Sequence, residues 1–135
     1  MIENFKGTHI LHGNQFAKED LDKVMQVADE FEKGLKNGET YDLMRGKVLA
    51  ALFFEPSTRT RLSFESAMLR LGGGVISVAS AATSSAAKGE SIADTALTVS
   101  QYADVIVMRH PCLLYTSPSP RDQRPNLVCR LLLEN

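Results

Sequence analysis

Apolar residues in this chain follow two rhythms that take turns. Between Lys18 and Lys36, the residues Leu21, Val24, Met25, Ala28, Phe31 and Leu35 recur every three or four positions, with Lys, Asp and Glu between them. That spacing predicts an amphipathic helix, with Glu19 and Asp20 near its positive end and Gly38 just past its close. Lys47 to Phe54 is instead an unbroken apolar run, the length of a strand buried on both faces. Pro56 stops it, and from Thr58 the helix period returns through Leu62, Phe64, Met68, Leu69 and Leu71, with Ser57 placed as the N-cap. Three glycines, Gly72 to Gly74, end that helix and open a short strand at Val75 to Val78. Ser91 caps a further helix, Ile92 to Ala103, and Asp104 to Met108 reads as a third buried strand. Strand, helix, strand, helix, strand predicts an α/β fold, a parallel sheet flanked by helices.

Composition narrows the partners. The chain has 135 residues, enough for one small core, and 44% hydrophobic with 23% charged residues is ordinary for a globular domain. Fifteen basic and sixteen acidic residues leave no global field to recruit nucleic acid or an anionic membrane, so any anion site must be local. The apolar runs are too short for a membrane span and the amino terminus lacks a signal pattern, so the expected location is the cytoplasm, with no nucleic-acid or membrane partner. His9 and His12 lie three apart without a third ligand nearby and read as loop or surface residues.

The candidate chemistry sits at the carboxyl end of the first strand. There the first turn of a helix, with its unpaired N–H groups, carries Ser57, Thr58, Arg59, Thr60 and Arg61, a combination suited to phosphate. Arginine adds a planar fork that grips two oxygens and keeps its charge at any working pH. The competing reading is an ordinary capped helix with surface arginines, Arg61 pairing with Glu65 four residues on. Placement directly after a buried strand favours a ligand site, because open α/β sheets bind ligands outside the carboxyl ends of their strands. Arg109, after the third strand, emerges at the same edge. Ala79 to Ala87 is a loop of small residues that gives Lys88 reach into a neighbouring cleft.

Phe54-Glu-Pro-Ser-Thr-Arg-Thr-Arg-Leu-Ser-Phe-Glu65 resembles the carbamoyl-phosphate signature of the transcarbamoylases, the family of aspartate and ornithine carbamoyltransferases. The likeness continues through Ala87-Lys-Gly-Glu-Ser-Ile-Ala-Asp-Thr95 and Tyr102-Ala-Asp-Val-Ile-Val-Met-Arg-His-Pro111, covering nearly all of residues 1–111. It implies the carbamoyl-phosphate-binding half of a two-domain transcarbamoylase, truncated. It further implies that Ser57, Thr58, Arg59 and Thr60 bind the phosphate, that Arg109 and Thr60 also reach the carbonyl oxygen as catalytic groups, and that Arg61 has a structural ion-pair role. Lys88 and Ser84 would enter the site of an adjacent subunit of a homotrimer, with Ser85 an alternative to Ser84. The lysine loop and Met108 to Pro111 look like the branch that transfers the carbamoyl group to L-aspartate, giving N-carbamoyl-L-aspartate and phosphate in pyrimidine synthesis. The ornithine branch and a non-catalytic phosphate-binding module are the alternatives. Neither metal nor cofactor is implied, and the second substrate would be held by a further domain, so the chain by itself is expected to be inactive.

From Cys112 the text changes: residues 112–135 hold three of the five prolines and both cysteines, and no helix or strand period persists. Cys112 to Asp122 reads as one frame of a transposase-type sequencing adapter, and Leu127 to Glu134 as the flow-cell primer that follows it. Residues 112–135 are thus expected to be a translated adapter tail outside the native fold, and residues 1–111 an incomplete amino-terminal domain.

Overall fold

A computed structural model describes residues 5, 7–11, 13–79 and 89–110, together with the backbone of 128–131. Its elements are α1 (Lys18–Lys36), β1 (Val48–Phe53), α2 (Thr58–Arg70), β2 (Gly74–Val78), α3 (Ile92–Val99), β3 (Val105–Arg109) and β4 (Val128–Leu131). The sheet order is β2-β1-β3-β4. β1 is parallel to both β2 and β3, with Leu49 opposite Val75 on one side and Val105 on the other.

The two faces of β1 feed two separate apolar clusters. Ala50, Leu52 and Phe54 join Ile106, Met108 and Ala103 under Ile92, Ala96 and Val99 of α3. Leu49, Ala51 and Phe53 join Val107 under Phe64 and Met68 of α2. Helices therefore cover both faces, and that is why β1 is apolar at every position instead of alternating. Leu52, Phe53, Ile106 and Val107 are the largest fully buried side chains among the described residues.

Three sequence expectations change. The helix expected over Ile92 to Ala103 ends at Val99: Tyr102 and Ala103 both donate their N–H to the Val99 carbonyl, at 2.9 and 3.1 Å, and this turn lowers Ala103 into the core. The apolar face that the spacing predicts for α1 is open over its first half instead of buried. Leu21, Val24 and Met25 are 48%, 44% and 62% exposed, because α2 and α3 already occupy the two sheet faces. Among the described residues the anchoring falls on its second half, by Phe31 edge-on to Tyr41 at 4.9 Å and by Gly34 beneath the Tyr41 hydroxyl. Finally, β4 lies in the region read as lacking any strand period, running antiparallel to β3 with Met108 opposite Val128. The outer edge of β3 offers a row of N–H and C=O groups that an extended segment can pair with whatever its side chains.

Glycine acts as expected at the helix ends. Gly38 and Gly72 follow α1 and α2 with φ of 82° and 86°, the left-handed region where a Cβ is strained.

Candidate functional site: the carboxyl edge of β1 and β3

β1 has β2 on one side and β3 on the other, so the chain leaves β1 in one direction, by way of α2, and returns past it to β3. The carboxyl ends of β1 and β3 flank the point where the strand order reverses, the position at which open α/β sheets form a crevice. Both expected ligand sets lie there. The backbone locks them together: Phe53 is in register with Arg109, and the Phe54 N–H donates to the Arg109 carbonyl at 2.9 Å.

Arg109 spans the crevice. Its Nη1 donates to the Ser57 hydroxyl at 3.0 Å and its Nε to Glu55 Oε2 at 3.1 Å. About a quarter of the side chain is exposed, so the guanidinium is fixed on one side and open on the other. Ser57 occupies the N-cap position expected of it, yet its side chain does not cap α2. The hydroxyl is engaged by Arg109 instead, and among the described residues no side chain accepts from the first-turn N–H groups of the helix, which keep their donor capacity for an anion.

A cavity of about 220 Å³ opens beside these groups, lined by Phe53, Phe54, Pro56, Ser57, Thr58 and Arg61 among others. Thr58 and Arg59 are exposed at the helix start and Thr60 is half-buried; of the expected ligands, Ser57 and Thr58 line the cavity, whereas Arg59, Thr60 and Arg109 do not. Arg59 makes no ion pair among the described residues. Ser84, Ser85 and Lys88 lie outside the described residues.

One residue plays a part that the sequence reading does not assign: the Glu55 carboxylate orients Arg109, and an acid directly before a proline in a basic stretch is the available signal. Arg61 fits both of its sequence readings, approaching Glu65 at 3.8 Å, with Ser77 donating to Glu65 at 2.7 Å, while also lining the cavity. One further group stands at the edge: the His110 ring meets Phe54 edge-on, with centroids 5.4 Å apart. Burial pushes the imidazole pKa below its usual value, while the Glu55 carboxylate acts in the opposite sense.

The model of the aspartate/ornithine carbamoyltransferase carbamoyl-P binding domain matches residues 8–121. The chain belongs to that family. The aspartate carbamoyltransferase catalytic subunit of Thermococcus kodakarensis is 56% identical over 108 residues, 80% of this chain and 35% of the relative. That of Methanosarcina mazei is 48% identical over 107 residues. Among solved structures, Trypanosoma cruzi aspartate transcarbamoylase in complex with carbamoyl phosphate and aspartate superposes with a TM-score of 0.73 at 41% identity, over 78% of this chain and 34% of that one. The catalytic subunit of M. Jannaschii aspartate transcarbamoylase gives 0.71 at 46% identity. The chain thus spans about a third of the length of the relatives it matches.

Proposed function

We propose that this chain is the carbamoyl-phosphate-binding part of an aspartate carbamoyltransferase, which transfers the carbamoyl group of carbamoyl phosphate to the amine of L-aspartate and releases phosphate. The observation that carries the reading is the Arg109–Ser57 hydrogen bond, which joins the end of β3 to the start of α2 at the crevice where the strand order reverses. The names of the similar proteins favour aspartate over ornithine as the acceptor.

The chemistry asks for little beyond placement and charge. A phosphate dianion departs and an amine attacks a carbonyl, so the site must hold the phosphate, neutralise it as it leaves and stabilise the oxyanion of the tetrahedral intermediate. In this reading Ser57, Thr58, Arg59 and Thr60 take the phosphate on the uncapped helix start, and Arg109, with Thr60, turns its open side to the carbonyl oxygen. Ser84 and Lys88 complete the site from a neighbouring subunit of a homotrimer, in the cytoplasm. The acceptor is held by a domain beyond these residues. Residues 112–135 are no part of the native sequence, a reading that rests on their likeness to an adapter and is opposed by the pairing of β4 with β3 and by a family match that runs ten residues past Pro111, to 121.

The test joins residues 1–111 to the remaining two thirds of the Thermococcus kodakarensis relative. The chimera should form carbamoyl-aspartate, the 135-residue chain alone should not, and ornithine should not be carbamoylated. A chimera that carbamoylates ornithine in preference to aspartate would overturn the acceptor assignment. Mixed Lys88→Ala and Arg59→Ala chimeras should recover activity in hybrid trimers; activity no higher than in the separate variants would refute the shared site.

A further inference from the structure

The hydrogen bond from the Phe54 N–H to the Arg109 carbonyl ties the ends of β1 and β3, and the next residue on each strand is Glu55 and His110 respectively. The Phe54 ring holds the imidazole edge-on, 5.4 Å between centroids and 69° between planes. That tie brings Glu55 and His110 to the same edge, where the Glu55 charge favours the protonated imidazole, and the same carboxylate holds Arg109 Nε at 3.1 Å. One acid is therefore shared between a permanent cation and a titratable ring.

We propose that His110 is a positioning residue that sets how firmly Glu55 holds Arg109, and through that how fully the Arg109 guanidinium can serve an anion bound beside Ser57. It acts through Glu55 and does not touch the anion. The inference deepens the anion-site reading above and rests on it.

The sign follows from the charges. With His110 neutral, the whole charge of Glu55 is directed at Arg109 and opposes an incoming anion. Protonation of His110 divides that charge between two cations, loosens the Nε contact and adds a positive charge beside the crevice, so an anion binds more tightly. Affinity therefore falls as pH rises through the imidazole pKa, which burial against Phe54 places below the usual histidine value. By linkage, a bound anion must raise the proton affinity of His110 by the same factor.

The probe is inorganic sulfate, which keeps its double charge over the range in which phosphate and histidine titrate. Sulfate binding to the 135-residue chain, followed by calorimetry, should weaken about fivefold between about pH 5 and about pH 8. In His110→Asn the change should stay within about twofold, and Glu55→Gln should flatten it as well. Proton NMR of the wild-type imidazole, assigned by its loss in His110→Asn, should show the His110 pKa rising when sulfate is added and falling in Glu55→Gln. A wild-type His110 pKa that sulfate does not move, or a His110→Asn profile as steep as the wild type, would overturn the positioning role and leave the anion site standing. A wild-type chain that binds no sulfate at any pH would overturn the anion site itself.

Discussion

Asp104 and Val48 are joined twice: the Asp104 backbone N–H donates to the Val48 carbonyl at 2.9 Å, and Asp104 Oδ2 accepts from the Val48 N–H at 2.8 Å. The other carboxylate oxygen takes the Lys47 ammonium at 2.9 Å. This clamp closes the amino end of the β1–β3 pair, opposite the end that carries Arg109.

The clamp makes stability depend on pH. The Lys47 and Val48 hydrogen bonds hold the Asp104 carboxyl below its ordinary value. A group depressed in the folded state contributes stability above its unfolded pKa and loses it as pH falls through the folded one. Asp104→Ala should cost about 1–2 kcal/mol at neutral pH, a charged hydrogen bond discounted for the partial exposure of Lys47. Urea midpoints of wild type and variant should converge below about pH 4; a gap that stays constant down to pH 2 would rule the clamp out.

Ser57 and Ser91 occupy the same helix position with opposite duties. Ser91 Oγ accepts the Asp94 N–H at 3.1 Å and donates to its carboxylate at 2.6 Å, whereas Ser57 caps nothing. Ser91→Ala should lower stability by about 1 kcal/mol. Ser57→Ala should change stability by less than about 0.5 kcal/mol while weakening phosphate binding roughly 2- to 10-fold. Denaturation and calorimetry on the two variants should give opposite rankings.

Removing Arg109 should hurt twice, because its donors vanish and the Glu55 charge loses the guanidinium that offsets it beside the anion. Arg109→Ala should weaken phosphate binding by about 10- to 100-fold. The double variant Arg109→Ala/Glu55→Gln should regain part of that loss. Equal affinities for the single and double variants would show that Glu55 does not oppose the anion.

Leu52 is 1% exposed and sits in the cluster beneath α3. Leu52→Ala should cost about 2–5 kcal/mol, visible as a lower urea midpoint. Leu97→Ala, at a residue 67% exposed, should stay within about 0.5 kcal/mol.

The parts of this fold legible in the sequence are those whose cause is local or periodic. An apolar run without polar breaks specified β1, and Pro56 followed by Ser57 specified where α2 begins. Glycines at positive φ marked the ends of α1 and α2. What escaped depends on contacts distant in sequence. Glu55 and Arg109 are 54 residues apart, and although Glu55 stands out as an acid before a proline, nothing near either residue names the other as its partner. The α1 face looked like a core face because its spacing is apolar, but spacing cannot report that two other helices already cover the sheet. Ser57 misled in the same way: its local preference is to cap, and a long-range arginine outcompetes the cap.

β1 sends successive side chains into different clusters, Leu52 under α3 and Phe53 under α2. Deleting a single residue between Val48 and Phe53 would exchange the two sets and slide everything beyond by about 3.3 Å. Glu55 and Ser57 would then be displaced from Arg109 by more than the length of the bonds they now make with it. The anion site is thus in phase with the sheet, and a frame error of one position in the strand would dismantle it without altering any residue that touches a ligand.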